Sequence, residues 1–155
     1  IGISIGAIYR HINNKYLDNL VYKYRYKSLT TKESFYTPKG IKSAKEIIEN
    51  IKNKNSIFLL IDQKDSSGEN VIFFKKNVKT QLGFLKIARK YNLPIIPLKN
   101  TRLKNGSFEI VFEKPFYNNN FNISDAELMK NIHKRIEKWI ISNPSQWFWQ
   151  HKRFN

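Results

Sequence analysis

Apolar positions along the chain switch repeatedly between the spacing of a strand and that of a helix. Residues 1–10 are β-branched and small and predict a buried strand ending in Tyr9-Arg10. Leu17, Leu20, Val21 and Tyr24 then recur on one helical face, predicting an amphipathic helix from Asn14 to about Lys27, capped by Asn13 or Asn14. Thr37-Pro38-Lys39-Gly40 has the composition of a turn, and Ser43 with Glu46 forms a capping-box pattern ahead of Ile47, Ile48 and Ile51. Asn53-Lys54-Asn55 breaks that second helix, and the almost unbroken apolar run 56–61 predicts an internal strand covered on both faces. After the loop 65–70 come the apolar residues 71–74, a helix from about Lys79 to Tyr91, and a short strand over 94–98. Asn105-Gly106 between extended segments marks a hairpin whose second strand, alternating Phe108, Ile110 and Phe112 with Glu109, Val111 and Glu113, runs to Pro115. Ser124 and Glu127 then cap a long helix with Leu128, Ile132, Ile136 and Ile140 four apart, stopped by Asn143-Pro144.

Alternation of this kind predicts an α/β fold: a mixed, largely parallel sheet flanked by helices, with a hairpin and a long C-terminal helix, in one domain spanning residues 1–155. In open α/β sheets ligands gather where strands end, which makes Arg10 and Asp62 candidate site residues.

Composition narrows the chemistry. Without cysteine, disulfides, zinc-thiolate sites and thiol nucleophiles are excluded. No apolar run approaches a membrane span, and the start has no signal-peptide pattern. The net charge of +16 favours polyanions, from nucleic acid to anionic lipid or an acidic carrier protein. Of the 28 basic residues only 6 are arginine, and abundant Lys, Asn and Ile also fit a compositional bias, so the arginines are the more informative cations. Hydrolase, nucleotide-loop and zinc motifs are missing, and His11, His133 and His151 lack metal-ligand spacing, so no metal and no cofactor is expected. His133, next to core-facing Ile132, is expected to be a solvated helix residue.

Asp62 follows the most apolar strand, where a carboxylate can orient a base, pair with an arginine or accept a substrate hydroxyl, or simply cap a turn. Arg10 ends a strand and is suited to phosphate or carboxylate binding, or to a surface ion pair. The tail Pro144-Ser145-Gln146-Trp147-Phe148-Trp149-Gln150-His151-Lys152-Arg153-Phe154 places tryptophans beside cations, which suits a lipid headgroup layer, a nucleic acid or closure of the core.

That tail resembles the closing P-x-Q-W-x-W-x-H-[KR]-R-[FW] signature of the bacterial lipid A lauroyl/myristoyl acyltransferases, members of the lysophospholipid acyltransferase-like superfamily. Further blocks are similar in the same order: Ile8-Tyr9-Arg10 with Asn14, Leu17 and Asp18; Arg25-Tyr26-Lys27; Leu60-Ile61-Asp62-Gln63; Phe73-Phe74 with Thr80, Gly83 and Ala88; and Leu93 to Pro97 with Arg102. Lys75 departs from the glycine common after the double Phe. The family's His-x-x-x-x-Asp/Glu motif is absent from the 155 residues, since His11 is followed by Tyr16 and His133 by Lys138 at the required distance.

The resemblance implies a carboxy-terminal part of an acyltransferase domain whose amino-terminal part, with the catalytic histidine and a membrane anchor, lies upstream. It implies acyl transfer from acyl carrier protein to a hydroxyl of a Kdo-containing lipid A precursor at the cytoplasmic face of the bacterial inner membrane, against an anionic membrane surface. The fragment alone would then be inactive. Arg25 and Asp62 would support catalysis, and Arg10, Arg25, Asp62, Gln63, Thr80 and Arg102 would bind substrate. Related acyltransferases acting on a glycerophospholipid or a glycolipid would share this pattern. A basic nucleic-acid-binding domain is the rival of another class, but no RNP-like strand, recognition helix or KH-type loop is present, and nucleic acid is not the expected partner.

Overall fold

In the computed structural model, residues 4–9, 12–27, 35–38, 41–117, 122–150 and 152–154 are described. They form two compact units, 1–60 and 61–155. In the first unit β1 (Ile5–Tyr9), α1 (Lys15–Lys27), β2 (Phe35–Pro38), α2 (Ile41–Lys52) and β3 (Ser56–Phe58) build a parallel sheet in the order β2-β1-β3. Asn14 is the cap of α1, its Oδ1 accepting from the N–H groups of Tyr16 and Leu17 at 3.0 and 3.3 Å. The apolar stripe of this helix is not buried: Leu17 and Leu20 are exposed.

Three expectations for this unit are corrected. Thr37-Pro38 closes strand β2 rather than forming a turn, because Tyr9 supplies a parallel partner for Pro38. Helix α2 already starts at Ile41, so Ser43 lies inside it and is not its cap. The predicted internal strand is also shorter than its apolar run. β3 ends at Phe58, and although α2 packs on the three strands, Phe58 and Leu60 stay exposed among the described residues.

The second unit contains β4 (Glu69–Phe73), β5 (Lys76–Thr80), α3 (Gly83–Tyr91), β6 (Pro94–Ile95), β7 (Leu98–Arg102), β8 (Phe108–Phe112), β9 (Phe116–Tyr117) and α4 (Asp125–Ser142), followed by a 3-10 turn at Pro144–Gln146. Its three sheets are two-stranded and antiparallel: β4-β5, β6-β9 and β7-β8. The α/β character stands, but a largely parallel sheet does not. Parallel neighbours need a long crossover, which α1 and α2 supply in the first unit, whereas β4 and β5 are joined by two residues. Those two, Phe74 and Lys75, have φ of 47° and 61°, the pair of positive values that a tight hairpin turn requires. Lys75 thus occupies a backbone position that glycine adopts more easily. The same hairpin takes Lys79 and Thr80 out of the predicted helix, and α3 starts at Gly83.

Helix α4 carries the core. Leu128, Met129, Ile132, Ile136 and Ile140 pack with Val71, Phe73 and Val78 of the β4-β5 hairpin and with Leu82 and Leu85. Ser124 caps it as predicted, its hydroxyl accepting from the Glu127 N–H at 3.2 Å. Three polar links fix its rotation and position. Glu137 accepts from the Phe74 N–H at 2.6 Å, Glu113 accepts from the Trp139 indole at 3.1 Å and pairs with Arg135, and Asp125 pairs with Arg89 of α3 at 2.8 Å.

Gly68 shows how closely the loop before β4 is drawn in: a Cβ built there would lie 2.3 Å from the Thr80 carbonyl oxygen. The buried Asp65 closes this loop by accepting from the Ser67 N–H and hydroxyl at 3.0 and 2.6 Å. Replacing Gly68 by Ala therefore forces the loop away from the end of β5. The variant should lose about 2 kcal/mol of unfolding free energy in a urea titration, and an unchanged midpoint would show that the loop yields freely.

Candidate functional site

Asp62, expected to be a site residue, lies at the start of the second unit. It does not cap a turn with its second oxygen: Oδ2 accepts from the indole N–H of Trp147 at 2.9 Å, across 85 residues. Trp147 belongs to the carboxy-terminal tail, and its ring meets Phe73 and Trp149 edge-on at 5.9 and 4.7 Å. The tail thus holds the carboxylate by one donor whose ring is itself wedged against the core.

A few residues later the tail places Arg153, 2% exposed, inside the same unit. Its guanidinium donates to the Lys79 carbonyl, to the Thr80 hydroxyl at 2.7 Å and to His133 Nε2 at 3.3 Å, and lies 5.6 Å from the centre of the Phe73 ring. Burial lowers its pKa from the ordinary arginine value, while the nearby Asp62 carboxylate opposes that shift. Among the described residues its Nε finds no acceptor.

His133 completes the cluster. Its Nδ1 lies 2.8 Å from the Ile72 carbonyl, which can only accept, so Nδ1 carries the proton and Nε2 is the acceptor for Arg153. The ring also sits 4.8 Å from that of Phe73 and is fully buried. Desolvation lowers its pKa from 6.5 to about 4; the Ile72 carbonyl opposes this shift, Arg153 adds to it, and Asp62 opposes it weakly. The expectation of a solvated His133 is therefore corrected. The four-residue spacing of Leu128, Ile132, Ile136 and Ile140 concealed that His133 is also four residues after the buried Met129 and three before Ile136, within the apolar stripe. With both nitrogens engaged and neutral near pH 7, this histidine is a fixed support rather than a proton acceptor for a substrate.

The other candidates fall in separate places. Thr80 is fully buried, its hydroxyl accepting from Arg153 and directed to the Val78 carbonyl at 3.3 Å. Gln63 is exposed beside Asp62. Arg102 ends β7 with an exposed side chain, and its N–H and carbonyl are both bound by the Gln146 amide, at 2.8 and 2.9 Å. Arg25 lies in the last turn of α1, in the first unit, and Arg10 lies outside the described residues. The structure thus brings Asp62, Thr80, His133, Trp147 and Arg153 into one cluster. The sequence reading had marked Asp62, Thr80 and the tail, while the partnership of His133 with Arg153 escaped it. Among the described residues no group of acidic or histidine side chains could hold a metal ion, and no helix is long and apolar enough to cross a membrane.

The α/β character agrees with the acyltransferase resemblance carried by the tail and the ordered blocks. The description "Bacterial lipid A biosynthesis acyltransferase" matches residues 2–155, and the chain belongs to that family. Among curated proteins none matches it at a significant level.

Two measurements test the cluster. At pH 7 both folded and unfolded chains carry neutral His133. As the pH falls from 6.5 toward 4 the unfolded state takes the proton first, so stability is lost through that window and the loss is complete below about 4. Parent and His133→Gln should differ in their pH slopes by about 2 to 3 kcal/mol between pH 7 and 4.5; parallel curves would place the imidazole in contact with water. Arg153→Lys keeps the charge but not the fork that reaches three acceptors, and should lower the unfolding free energy by about 3 kcal/mol in the same titration.

Proposed function

We propose that this protein works in the transfer of a fatty acyl chain from acyl carrier protein to a hydroxyl of a Kdo-containing lipid A precursor, at the cytoplasmic face of the bacterial inner membrane. Family membership over residues 2–155 supports acyl transfer in lipid A biosynthesis. The observation that carries the finer reading is the Asp62 carboxylate, held by the Trp147 indole and only partly exposed. A carboxylate so placed keeps one oxygen for a substrate hydroxyl or for an imidazolium formed during the reaction.

In this reading the step is direct. A general base takes the proton of the acceptor hydroxyl, the alkoxide attacks the thioester carbonyl, and the carrier thiolate leaves with a proton returned to it. No metal or cofactor is needed. The 155 residues contain no His-x-x-x-x-Asp/Glu, so the base comes from outside them. Asp62 and Arg25 support the site, Arg10 and Arg102 bind anionic parts of a substrate, Gln63, exposed next to Asp62, binds substrate as well, and Thr80 acts through Arg153. The positive charge favours the acidic carrier protein and an anionic membrane surface.

The test is an acyl-transfer assay in a protein that carries the histidine motif ahead of these residues. Asp62→Ala and Arg25→Ala should each lower kcat by at least about tenfold with an unchanged melting temperature, while the 155 residues alone should turn over no acyl carrier thioester. Full activity of both variants would remove these side chains from the site.

A further inference from the structure

The β7-β8 hairpin has an apolar face that the core does not use. By its register, Leu98, Asn100 and Arg102 of β7 share one face with Phe112, Ile110 and Phe108 of β8. Alternating large apolar side chains ordinarily mark the buried side of a strand, yet Phe108, Ile110 and Phe112 are 59%, 55% and 69% exposed. The carboxylates of the hairpin alternate onto the other face, where Glu113 binds Arg135 and Trp139 of α4. The apolar face is thus turned away from the helix that carries the core.

The tail extends this surface. Gln146 binds both backbone groups of Arg102, which fixes the tail against the free edge of β7. Phe148 and Trp149 follow within three residues and are 68% and 55% exposed. Trp149 has its indole N–H satisfied by the Pro144 carbonyl at 2.6 Å, so the ring can enter an apolar layer without carrying an unpaired donor. Arg102, on the apolar face, Lys104 in the hairpin turn and Lys152 in the tail are exposed cations on the same hairpin and tail.

We propose that this surface, formed by Phe108, Ile110, Phe112, Phe148 and Trp149, enters the headgroup and upper acyl layer of an anionic lipid bilayer. The surrounding cations meet the lipid phosphates. The choice of a bilayer rests on the reading of a membrane-borne acceptor given above, and on charge. A second copy would bring another +16 chain with the same cations against this face, whereas anionic lipid complements them. Aromatic rings beside cations also match the chemistry of the interfacial layer.

Co-sedimentation of the 155-residue chain with vesicles of phosphatidylcholine, alone or with about 30% phosphatidylglycerol, tests the proposal. The chain should partition onto the anionic vesicles. The triple variant Phe108→Ser, Ile110→Ser, Phe112→Ser should bind them at least about tenfold more weakly, and Lys104→Glu with Lys152→Glu should abolish the preference for anionic over neutral vesicles. Lipids brominated near the headgroup should quench parent tryptophan emission, and Trp149→Phe should reduce that quenching. This optical reading does not depend on the triple variant folding. Unquenched emission, or parent-like binding by a folded triple variant, overturns the proposal, as does a dimer dispersed by the triple variant with vesicle binding unchanged, which would make a second copy the occupant. Arg25→Ala, in the first unit and outside this surface, should bind vesicles like the parent, so a failed acyl-transfer reading and a failed docking surface give different results.

Discussion

The guanidinium of Arg153 is the point on which the second unit is organised. Taking a cation out of water costs several kcal/mol unless acceptors replace the lost hydration, and here they come from three separated stretches of chain. The Lys79 carbonyl and Thr80 hydroxyl lie at the end of β5, and the neutral nitrogen of His133 lies on α4. The face of Phe73, from β4, adds its quadrupole. Because Arg153 comes 73 residues after Thr80 and 20 after His133, these contacts draw the tail back across the hairpin and helix. That return path brings Trp147 to Asp62.

Phe73 is the apolar counterpart of that cation. It is fully buried, stacks on Phe154 at 5.7 Å and 10°, and meets Phe74, His133 and Trp147 at steeper angles. The tail therefore closes the core with some of its rings while presenting Phe148 and Trp149 outward. Core closure and exposed aromatics, alternatives for this segment when seen as sequence, are carried by different residues of it. The arrangement also separates roles among polar groups: His133 and Thr80 are committed to Arg153, whereas Asp62 retains an oxygen beyond its bond to Trp147.

Much of this architecture was legible in local sequence. The Ser124 cap and four-residue spacing of α4, the Asn14 cap of α1 and the turn at Asn105-Gly106 each depend on residues within one or two turns of chain, and they appear where the pattern put them. The errors arose where a neighbour distant in sequence intervenes. Lys79 and Thr80 joined the following helix in the reading, but pairing with β4 claims them as the end of a strand. Pro38 looked like a turn residue until Tyr9 paired with it.

The candidate site divides in the same way. The ordered blocks and the tail signature were enough, from sequence alone, to identify the family and to single out Asp62, because residue types and spacings survive without knowledge of contacts. Only the tertiary structure decided what Asp62 touches, that His133 is buried and neutral, and that the last arginine lies inside rather than on a cationic surface. The partners in those bonds are 61 to 85 residues apart for the Ile72, Thr80 and Asp62 contacts. Hydrophobic spacing reports which side of its own element a residue occupies. It carries no information on which distant backbone or ring will face that side once the chain has closed.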